Sequence, residues 1–249
     1  MGMINRLNIP AGIVLFLGSA IPVLALAQSP PSQPVAPVQV AVPVAPPSPP
    51  PRAVPGGITP HVWQHALAAW QDVKAEGKTS RSLVTVIDYS RPATQKRLWV
   101  VDLATDSVLA TDYVAHGLGS GSRVAAERFS NVDGSHQSSL GTFITGDSFY
   151  GVRGRSLPLI GLEKGINDNA YTRGLLIHGT PAVSEARALR GTMGLTEGCA
   201  GVPARSAKRL IKLIGTGTVV FVWYPDRTLL SQSDYLDQEV AAENLEALD

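Results

Sequence analysis

Short apolar runs separated by turn residues fill the stretch from residue 83 to residue 224, and they constrain the fold more than any other feature of the chain. Runs of about four to eight residues rich in Val, Ile, Thr and Tyr, bounded by Gly, Pro, Asn or Asp, are typical of β-strands. The strand patterns cover residues 83–89, 97–103, 108–115, 142–145 and 218–224. We therefore expect a meander of short strands.

Helical patterns interrupt this series. The first helix is predicted to begin after Thr59, an N-cap type of residue followed by Pro60 at the first helical position, and to end at Gly77. Two further segments, residues 184–190 and 203–215, also have helical spacing. The predicted fold class is therefore α+β, mostly β with a few short helices.

The first 27 residues have the pattern of a secretory signal peptide. Arg6 precedes an apolar stretch at 9–26, and Ala25-Leu26-Ala27 forms an A-x-A cleavage site before Gln28. An uncleaved membrane anchor is the alternative, and no later stretch is long and apolar enough to span a bilayer. We therefore expect an exported, periplasmic protein without a membrane span after signal cleavage.

Composition divides the rest of the chain. Proline-rich sequence such as PVAPVQVAVPVAPPSPPPR favours extended polyproline II, a semi-rigid spacer. Acidic residues accumulate after residue 231, where the alternatives are an amphipathic helix docked on the body and a disordered tail. The predicted parts are a signal peptide at 1–27, a linker at 28–58, an N-terminal helix at 59–80, a central domain at 81–230 and an acidic tail at 231–249.

The charge balance bears on the class of partner. Residues 60–231 hold 19 Lys or Arg against 14 Asp or Glu, so the body is mildly basic. That excess suits an anionic polymer surface but is too small to indicate nucleic acid. We therefore expect no nucleic-acid partner.

Cys199 and His178 are the candidate nucleophile and base. Cys199 is the only cysteine, and a lone thiol in an oxidising compartment is either buried and inert or reactive. Gly198 lets the backbone turn sharply and present N–H groups to an oxyanion, while His178 ends an apolar run within reach of the same segment. The residues alone leave open an inert cysteine and a histidine that caps a strand.

The same stretch resembles the L,D-transpeptidase catalytic domain (YkuD-like) of bacterial cell-wall enzymes. The family signature is a His-Gly pair followed by Ser/Thr-x-Gly-Cys, which His178-Gly179 and Thr196-Glu197-Gly198-Cys199 match. Blocks shared with a branch of murein L,D-transpeptidases lie in order at 90–102, 114–117, 129–131, 135–141 and 161–170. The resemblance covers residues 83–225 and makes the central domain the catalytic one.

Two positions depart from the family pattern. Many relatives have histidine just before Gly-Cys, and this branch often has tryptophan there, whereas this chain has Glu197. Ala200 stands where the branch often has proline. Because Glu197 cannot supply an imidazole, the base role falls on His178, and the acceptor side of the site stays open.

The resemblance implies a compact β-sandwich or barrel and an exported cysteine transpeptidase of peptidoglycan stem peptides. Cys199 would attack the carbonyl of an L-residue that a D-residue follows. A diaminopimelate amine of a second stem would then resolve the acyl-enzyme into a 3,3 or a 1,3 crosslink. In this hypothesis His178 is the base, the Gly179 carbonyl orients its imidazole, and the N–H groups of Gly198 and Cys199 bind the oxyanion. A carbapenem is expected to acylate Cys199.

A further set of residues is predicted to line the approach or grip the stem peptide: Thr196, Glu197, Arg173, Tyr150, His136, Ser139 and His116. A zinc site is the alternative use of His116, His136, His178 and Cys199, but none of them lies at the short spacings of zinc ligands. We expect no metal and no organic cofactor, and we expect a monomer.

Other functions stay open on the same fold. One is hydrolysis, by an L,D-carboxypeptidase or an endopeptidase, and another is the linking or release of lipoproteins. A third is a non-catalytic protein that binds the cell wall. The intact pair of His178 and Cys199 favours an enzyme, whereas the choice between an amine and water as acceptor is not visible in the sequence.

Overall fold

The computed structural model describes residues 53–248, which form nine strands and five helices. The predicted signal peptide at 1–27 and the linker up to residue 52 lie outside the described residues. The helices are α1 (Pro60–Ala75), α2 (Glu185–Ala188), α3 (Ala204–Ile214), α4 (Arg227–Gln232) and α5 (Gln238–Glu246). The strands are β1 (Leu83–Asp88), β2 (Leu98–Asp102), β3 (Ser107–Asp112), β4 (Gly141–Thr145), β5 (Phe149–Gly151), β6 (Gly154–Gly161), β7 (Leu176–Thr180), β8 (Ala200–Pro203) and β9 (Val219–Trp223).

One sheet organises the described part of the chain. Its strand order is β3-β2-β1-β9-β4-β6-β7-β8, and β5 pairs with β6. Just beyond β3, Ala115 forms an antiparallel bridge with Gly201 of β8, and this bridge joins the two edges of the sheet. The sheet therefore curls into a nearly closed barrel, which confirms the predicted mostly β class.

The first and last strands lie side by side in the middle of the sheet. β1 and β9 run parallel, from Val84 opposite Val219 to Asp88 opposite Trp223, and both strands are buried along their whole length. Strands buried on both faces have continuous apolar sequences, which explains why 218–224 was recognisable as a strand. Helix α1 packs against this pair.

Helix α1 begins where the sequence predicts it. Thr59 occupies the N-cap position and Pro60 the first helical position, but the Thr59 side chain makes no capping hydrogen bond. Trp63 and Trp70 are buried against the sheet, as a stripe of core residues requires. The helices predicted at 184–190 and 203–215 correspond to α2 and α3.

The longest described strand, β6, lies between the predicted strands at 142–145 and 218–224, where the sequence pattern predicts no strand. Pro158 sits in its middle, and proline argues against a central strand because it cannot donate to the ladder. Here Pro158 still contributes its carbonyl oxygen, which accepts a hydrogen bond from Gly146 N–H at 3.0 Å. β6 pairs with β4 through one half and with β7 through the other, so it carries the sheet from the core to the edge with His178.

The acidic segment after residue 231 contains a docked helix, α5. Asp237 caps it by accepting from Val240 N–H at 3.1 Å, and Leu236 and Ala241 are buried. The Tyr235 hydroxyl donates to Glu76 at 2.7 Å, just beyond the end of α1. Of the two alternatives for this segment, the structure has the docked helix.

Candidate active site

Pairing of β7 with β8 brings His178 and Cys199 to one edge of the barrel. The two strands are parallel, with Ile177 opposite Ala200 and His178 opposite Gly201, so Cys199 directly precedes the paired residues. Adjacent strands lie about 4.8 Å apart. Each of the two side chains is 3% exposed. A thiol and an imidazole therefore share one buried edge of the sheet.

The imidazole of His178 is held in one tautomer. Its Nδ1 lies 3.0 Å from the carbonyl oxygen of Gly179, and because a carbonyl only accepts hydrogen bonds, Nδ1 carries the hydrogen. Nε2 therefore keeps its lone pair, and it is buried without a hydrogen-bond partner among the described residues. A buried nitrogen with a free lone pair is the form of histidine that a general base requires.

Burial also keeps this imidazole neutral. It lowers the pKa of His178 below the ordinary value of 6.5, and the cation of Arg153 lowers it further, against the opposing hydrogen bond to Gly179. At neutral pH the side chain is therefore ready to accept a proton rather than already charged.

The thiol of Cys199 is neutral in the resting protein as well. Burial raises the pKa of Cys199, although the Leu176 N–H and the cations of Arg153 and Arg173 act in the opposite direction. Its Sγ donates a long hydrogen bond of 3.6 Å to the Gly174 carbonyl. In this structure the pair is thus a thiol and a neutral imidazole.

A glycine is required before the cysteine. Gly198 has φ +112°, and a Cβ there would lie 2.8 Å from the Gln137 carbonyl oxygen. Thr196 Oγ1 donates to the Cys199 carbonyl at 2.7 Å and accepts from the Gly198 N–H at 3.3 Å. Thr196 therefore stabilises the turn at Gly198 through these two hydrogen bonds. The Gly198 N–H is occupied by this contact, whereas the Cys199 N–H faces the cysteine's own sulfur.

Ser138, which has no motif of its own in the sequence, holds the peptide that precedes Cys199. Its hydroxyl donates to the Gly198 carbonyl at 2.9 Å and accepts from Gly117 N–H at 3.0 Å. Its own N–H donates to Ser120 Oγ at 2.8 Å, and its side chain is buried. The only sequence signal for this role is its place in the shared block at 135–141.

Arg173 holds the loop that carries Ser138. Its guanidinium donates to the Ser130 carbonyl at 2.5 Å, to Ser139 Oγ at 2.7 Å, to Ser135 Oγ at 3.0 Å and to the Gln137 carbonyl at 2.7 Å. Ser139 in turn donates to the Ser130 carbonyl at 2.7 Å. Arg173 and Ser139, both predicted substrate contacts, are thus hydrogen-bonded within the loop. Arg173 also interacts electrostatically with Cys199.

His136 and Glu197 form a half-exposed pair at the rim. His136 Nδ1 lies 2.5 Å from Glu197 Oε2, and His136 adopts a positive φ of 55°. Together with Asp133, Gly134 and Arg173 they line a cavity of about 230 Å³. Glu197, the departure from the family pattern, therefore occupies the loop side of the site.

His116 lies inside the framework. Its Nδ1 accepts from Arg97 Nη2 at 2.8 Å, so its Nε2 carries the hydrogen and donates to the Ser122 carbonyl at 2.8 Å. Burial, followed by the Arg97 cation, lowers the pKa of His116 to about 4. Both ring nitrogens are occupied and the ring is neutral, so the structure leaves no part of this side chain to hold a carboxylate.

The β5–β6 hairpin contributes residues to two cavities near His178 and Cys199. Tyr150, one of the predicted substrate contacts, is 74% exposed on this hairpin. The first cavity, of about 230 Å³, is lined by Tyr150, Arg153, Gly154, Arg155, Gly179, Ala204, Ala207 and Lys208. The second, of about 670 Å³, is mostly apolar and is lined by Thr145, Gly146, Asp147, Phe149, Pro158, Ile160, Tyr171, Gly174, Leu175, Leu176 and Thr216. The first adjoins the His178 side and the second the Cys199 side.

The sequence leaves open a metal site and a membrane-spanning segment. Among residues 53–248, no group of three or more His, Cys, Asp or Glu side chains is placed to hold a metal ion. None of the helices in this range combines the length and the hydropathy that a bilayer-spanning segment requires.

Comparison with known proteins identifies the family. The sequence model of the L,D-transpeptidase catalytic domain matches residues 56–223, and the chain belongs to this family. This confirms the resemblance carried by the His-Gly and Thr-x-Gly-Cys motifs. No curated protein sequence matches the chain.

Solved L,D-transpeptidases are similar to the chain only at low identity. An L,D-transpeptidase from Mycobacterium tuberculosis shares 12% identity over 57% of this chain and 58% of its own, with a TM-score of 0.38. One from Xylanimonas cellulosilytica shares 15% over 66% and 78%, with a TM-score of 0.36. The helical cell-shape-determining protein of Campylobacter jejuni shares 11% over 74% and 62%, with a TM-score of 0.38. The chain thus spans less than two thirds of the length of the mycobacterial protein.

Proposed function

We propose that this chain is an exported cysteine L,D-transpeptidase that acts on peptidoglycan stem peptides in the periplasm. The observation that carries the proposal is the tautomer of His178. Gly179 holds the ring through Nδ1, and the buried, unpartnered Nε2 lies on the strand next to Cys199. A structural histidine has no need of such an orphaned nitrogen beside the chain's only cysteine.

The first half-reaction forms a thioester. His178 Nε2 accepts the proton of Cys199 Sγ, and the thiolate attacks the carbonyl carbon of an L-residue in an L,D peptide bond. The Cys199 N–H supports the oxyanion. The C–N bond then breaks, and the imidazolium gives its proton to the amine of the departing D-residue.

The second half-reaction transfers the acyl group. A diaminopimelate amine of another stem loses a proton to His178 and attacks the thioester carbon. The C–S bond breaks, and the thiolate recovers the proton from the imidazolium. The product is a 3,3 or a 1,3 crosslink, depending on which L,D bond is attacked. Water in place of the amine gives a hydrolase, and a lipoprotein as donor or acceptor gives a linking or releasing enzyme.

Each of the other segments of the chain has a role in this activity. Residues 1–27 act as a cleaved signal peptide, and residues 28–58 act as a Pro-rich linker that precedes the helix at 59–80 and the catalytic domain at 81–230. The helix at 59–80 and the segment at 231–249 complete the body, which works as a monomer. Thr196, Gly198 and Arg173 support the nucleophile, and Tyr150 and Glu197 lie where a stem peptide approaches.

Incubation of purified muropeptides with the mature protein tests the proposal. We expect a crosslinked dimer by mass spectrometry with the wild type and none with Cys199→Ala, and the fragment pattern of the dimer distinguishes 3,3 from 1,3 links. A dimer formed by Cys199→Ala contradicts the mechanism. A trimmed monomer without dimer indicates the hydrolase, and the absence of any Cys199-dependent product indicates a wall-binding protein.

Carbapenem labelling is an independent check of the nucleophile. A carbapenem is expected to add its mass to the wild type and not to Cys199→Ala. An active wild type without an adduct contradicts the assignment of Cys199.

A further inference from the structure

Three cations from two elements face one concavity beside the base. Arg153 and Arg155 come from the β5–β6 hairpin, Lys208 comes from α3, and all three line the cavity of about 230 Å³ whose wall includes Gly179. Gly179 is the residue whose carbonyl orients His178. The cavity therefore adjoins β7 next to His178, on the face of the sheet that packs against α3.

These cations have no carboxylate partner in the described part of the chain. Arg155 donates only to Ser148 Oγ, at 3.0 and 3.3 Å, and no ion pair is formed by Arg153 or Lys208. Arg205, on the same helix but outside the cavity, is paired with Glu185 at 3.1 Å. Like charges that converge without a counter-charge repel one another, an arrangement that an anionic ligand relieves.

We propose that this cavity is a subsite for one of the two internal carboxylates of the stem peptide, an inference that rests on the proposed function. A guanidinium presents paired N–H donors to a planar carboxylate, and an ammonium adds a point charge. A volume of about 230 Å³ holds one residue-sized group, since pockets for drug-sized ligands begin at about 300 Å³. Tyr150 at the rim adds a hydroxyl donor.

The subsite sets the direction in which the substrate lies. The basic cavity adjoins Gly179 on the His178 side, whereas the apolar cavity adjoins Gly174 and Leu176 on the Cys199 side. Arg153 lines the basic cavity, and its charge also acts on His178 and Cys199. A stem peptide anchored there through a carboxylate is therefore expected to extend past Arg153 to the pair. A stem peptide has two internal carboxylates, on D-glutamate and on the side chain of diaminopimelate, and either one supplies the required group.

Binding to inactive protein tests the subsite without turnover. In a Cys199→Ala background, titration calorimetry with the tetrapeptide stem compares the parent with Arg155→Ala plus Lys208→Ala. We expect the pair of substitutions to raise Kd by at least about tenfold, because each charge-assisted hydrogen bond supports the complex. Arg209→Ala is the matched control, since this exposed cation is the neighbour of Lys208 but does not line the cavity.

Two amidated peptides identify the carboxylate. One carries a carboxamide on D-glutamate and the other on the diaminopimelate side chain. We expect one of them to bind the parent as weakly as the free acid binds the double variant, with no further loss in that variant. If both amidated peptides still distinguish parent from variant, or if the double variant binds the free acid as tightly as the parent, the subsite is wrong.

Turnover separates this inference from the proposed function. With Cys199 intact, the double variant is expected to raise KM for muropeptides, while a saturating carbapenem still labels Cys199 completely. If labelling is normal and the KM of the double variant is unchanged, the subsite is wrong but the proposed function stands. If the wild type itself forms no Cys199-dependent product, the proposed function is wrong. Should Arg155→Ala fail to fold, Lys208→Glu at an exposed helix position gives the same comparison.

Discussion

His65 on α1 and His178 on β7 share burial but differ in chemistry. Each has one ring nitrogen without a partner among the described residues, and burial lowers the pKa of both. In His65 the Asn244 amide donates to Nε2 at 3.4 Å, so the orphaned Nδ1 carries the hydrogen. In His178 the hydrogen lies on Nδ1 and the orphaned nitrogen carries the lone pair.

The surroundings of the two rings differ as well. His65 is stacked on Trp223 with ring centroids 4.8 Å apart, between α1, β9 and α5. His178 lies on the strand next to the one that follows Cys199, and its neighbour Gly179 lines a cavity. A lowered pKa therefore does not by itself distinguish a catalytic histidine from a packed one. The position of the lone pair and the neighbouring thiol distinguish the two rings.

Replacing each histidine in turn gives the largest expected difference. His178→Gln removes the base, and we expect kcat/KM for muropeptides to fall by about 10²–10⁴-fold. His65→Gln is the matched control, which we expect to lower the unfolding temperature while the folded protein keeps its activity. Equal losses of activity in the two folded variants would contradict the distinction between the rings.

Replacing His65 by Phe isolates the contribution of His65 to the pH dependence of the unfolding free energy. The pKa of His65 falls from 6.5 to about 4 on folding, so the unfolded chain takes up a proton first and stability is lost as the pH falls below 6.5. This group costs no stability at neutral pH and about 2 kcal/mol near pH 5. His65→Phe keeps the stack on Trp223 and removes that term.

Urea unfolding of wild type and His65→Phe at about pH 7 and about pH 5 measures this term. We expect the wild type to lose more stability on acidification than the variant does. His116, whose pKa is also lowered to about 4, contributes equally to both proteins and cancels. Parallel pH curves would show that His65 is not the proton-linked group.

Ser138→Ala tests whether the peptide before Cys199 needs external support. The change leaves the Gly198 carbonyl and the Gly117 N–H buried without their partner, at a cost of about 1–3 kcal/mol in unfolding free energy. We expect kcat to fall with little change in KM, since the nucleophile loses its position. Thr85→Val is the control, because the buried Thr85 hydroxyl has no partner among the described residues. A similar kcat in the two variants would assign Ser138 a purely structural role.

The smallest expected effect comes from Arg153→Ala. Burial and, to a smaller extent, the Arg153 cation lower the pKa of His178, so the acid limb of the pH profile of kcat/KM lies below pH 6.5 in the wild type. Without the cation the imidazolium persists to higher pH, and we expect the limb to move upward by a fraction of a pH unit, less at high salt. Arg190→Ala, at another exposed cation, is expected to leave the limb in place.

Most of the fold was predictable because its signals are local. Alternating and continuous apolar runs located β1, β2, β4 and β9, and capping residues located α1 and α3. β6 was missed because Pro158 and the surrounding glycines have the local chemistry of turns, whereas its pairing with two neighbouring strands is a property of the whole sheet. β8 was missed because it has only four residues.

The residues of the candidate site also fall into those with a local sequence signal and those without one. Cys199, Gly198 and His178 carry local motifs, so their segment stood out in the sequence. Arg173 and Ser139 were predicted to grip the substrate, yet each is engaged in the 130–139 loop, and such partners depend on how distant segments meet. Ser138 and Arg153 were missed for the same reason, since neither has a local pattern that reveals its neighbours.

The parallel pairing of β1 with β9 has a consequence for how the protein forms. The two strands are more than a hundred residues apart in the chain, so the centre of the sheet cannot assemble until Val219–Trp223 is available. Contacts of such long range make folding slow and cooperative. A chain truncated before β9 would leave β1 and β4 with unpaired edges. We therefore expect the earlier strands to stay unfolded until β9 has become available for pairing.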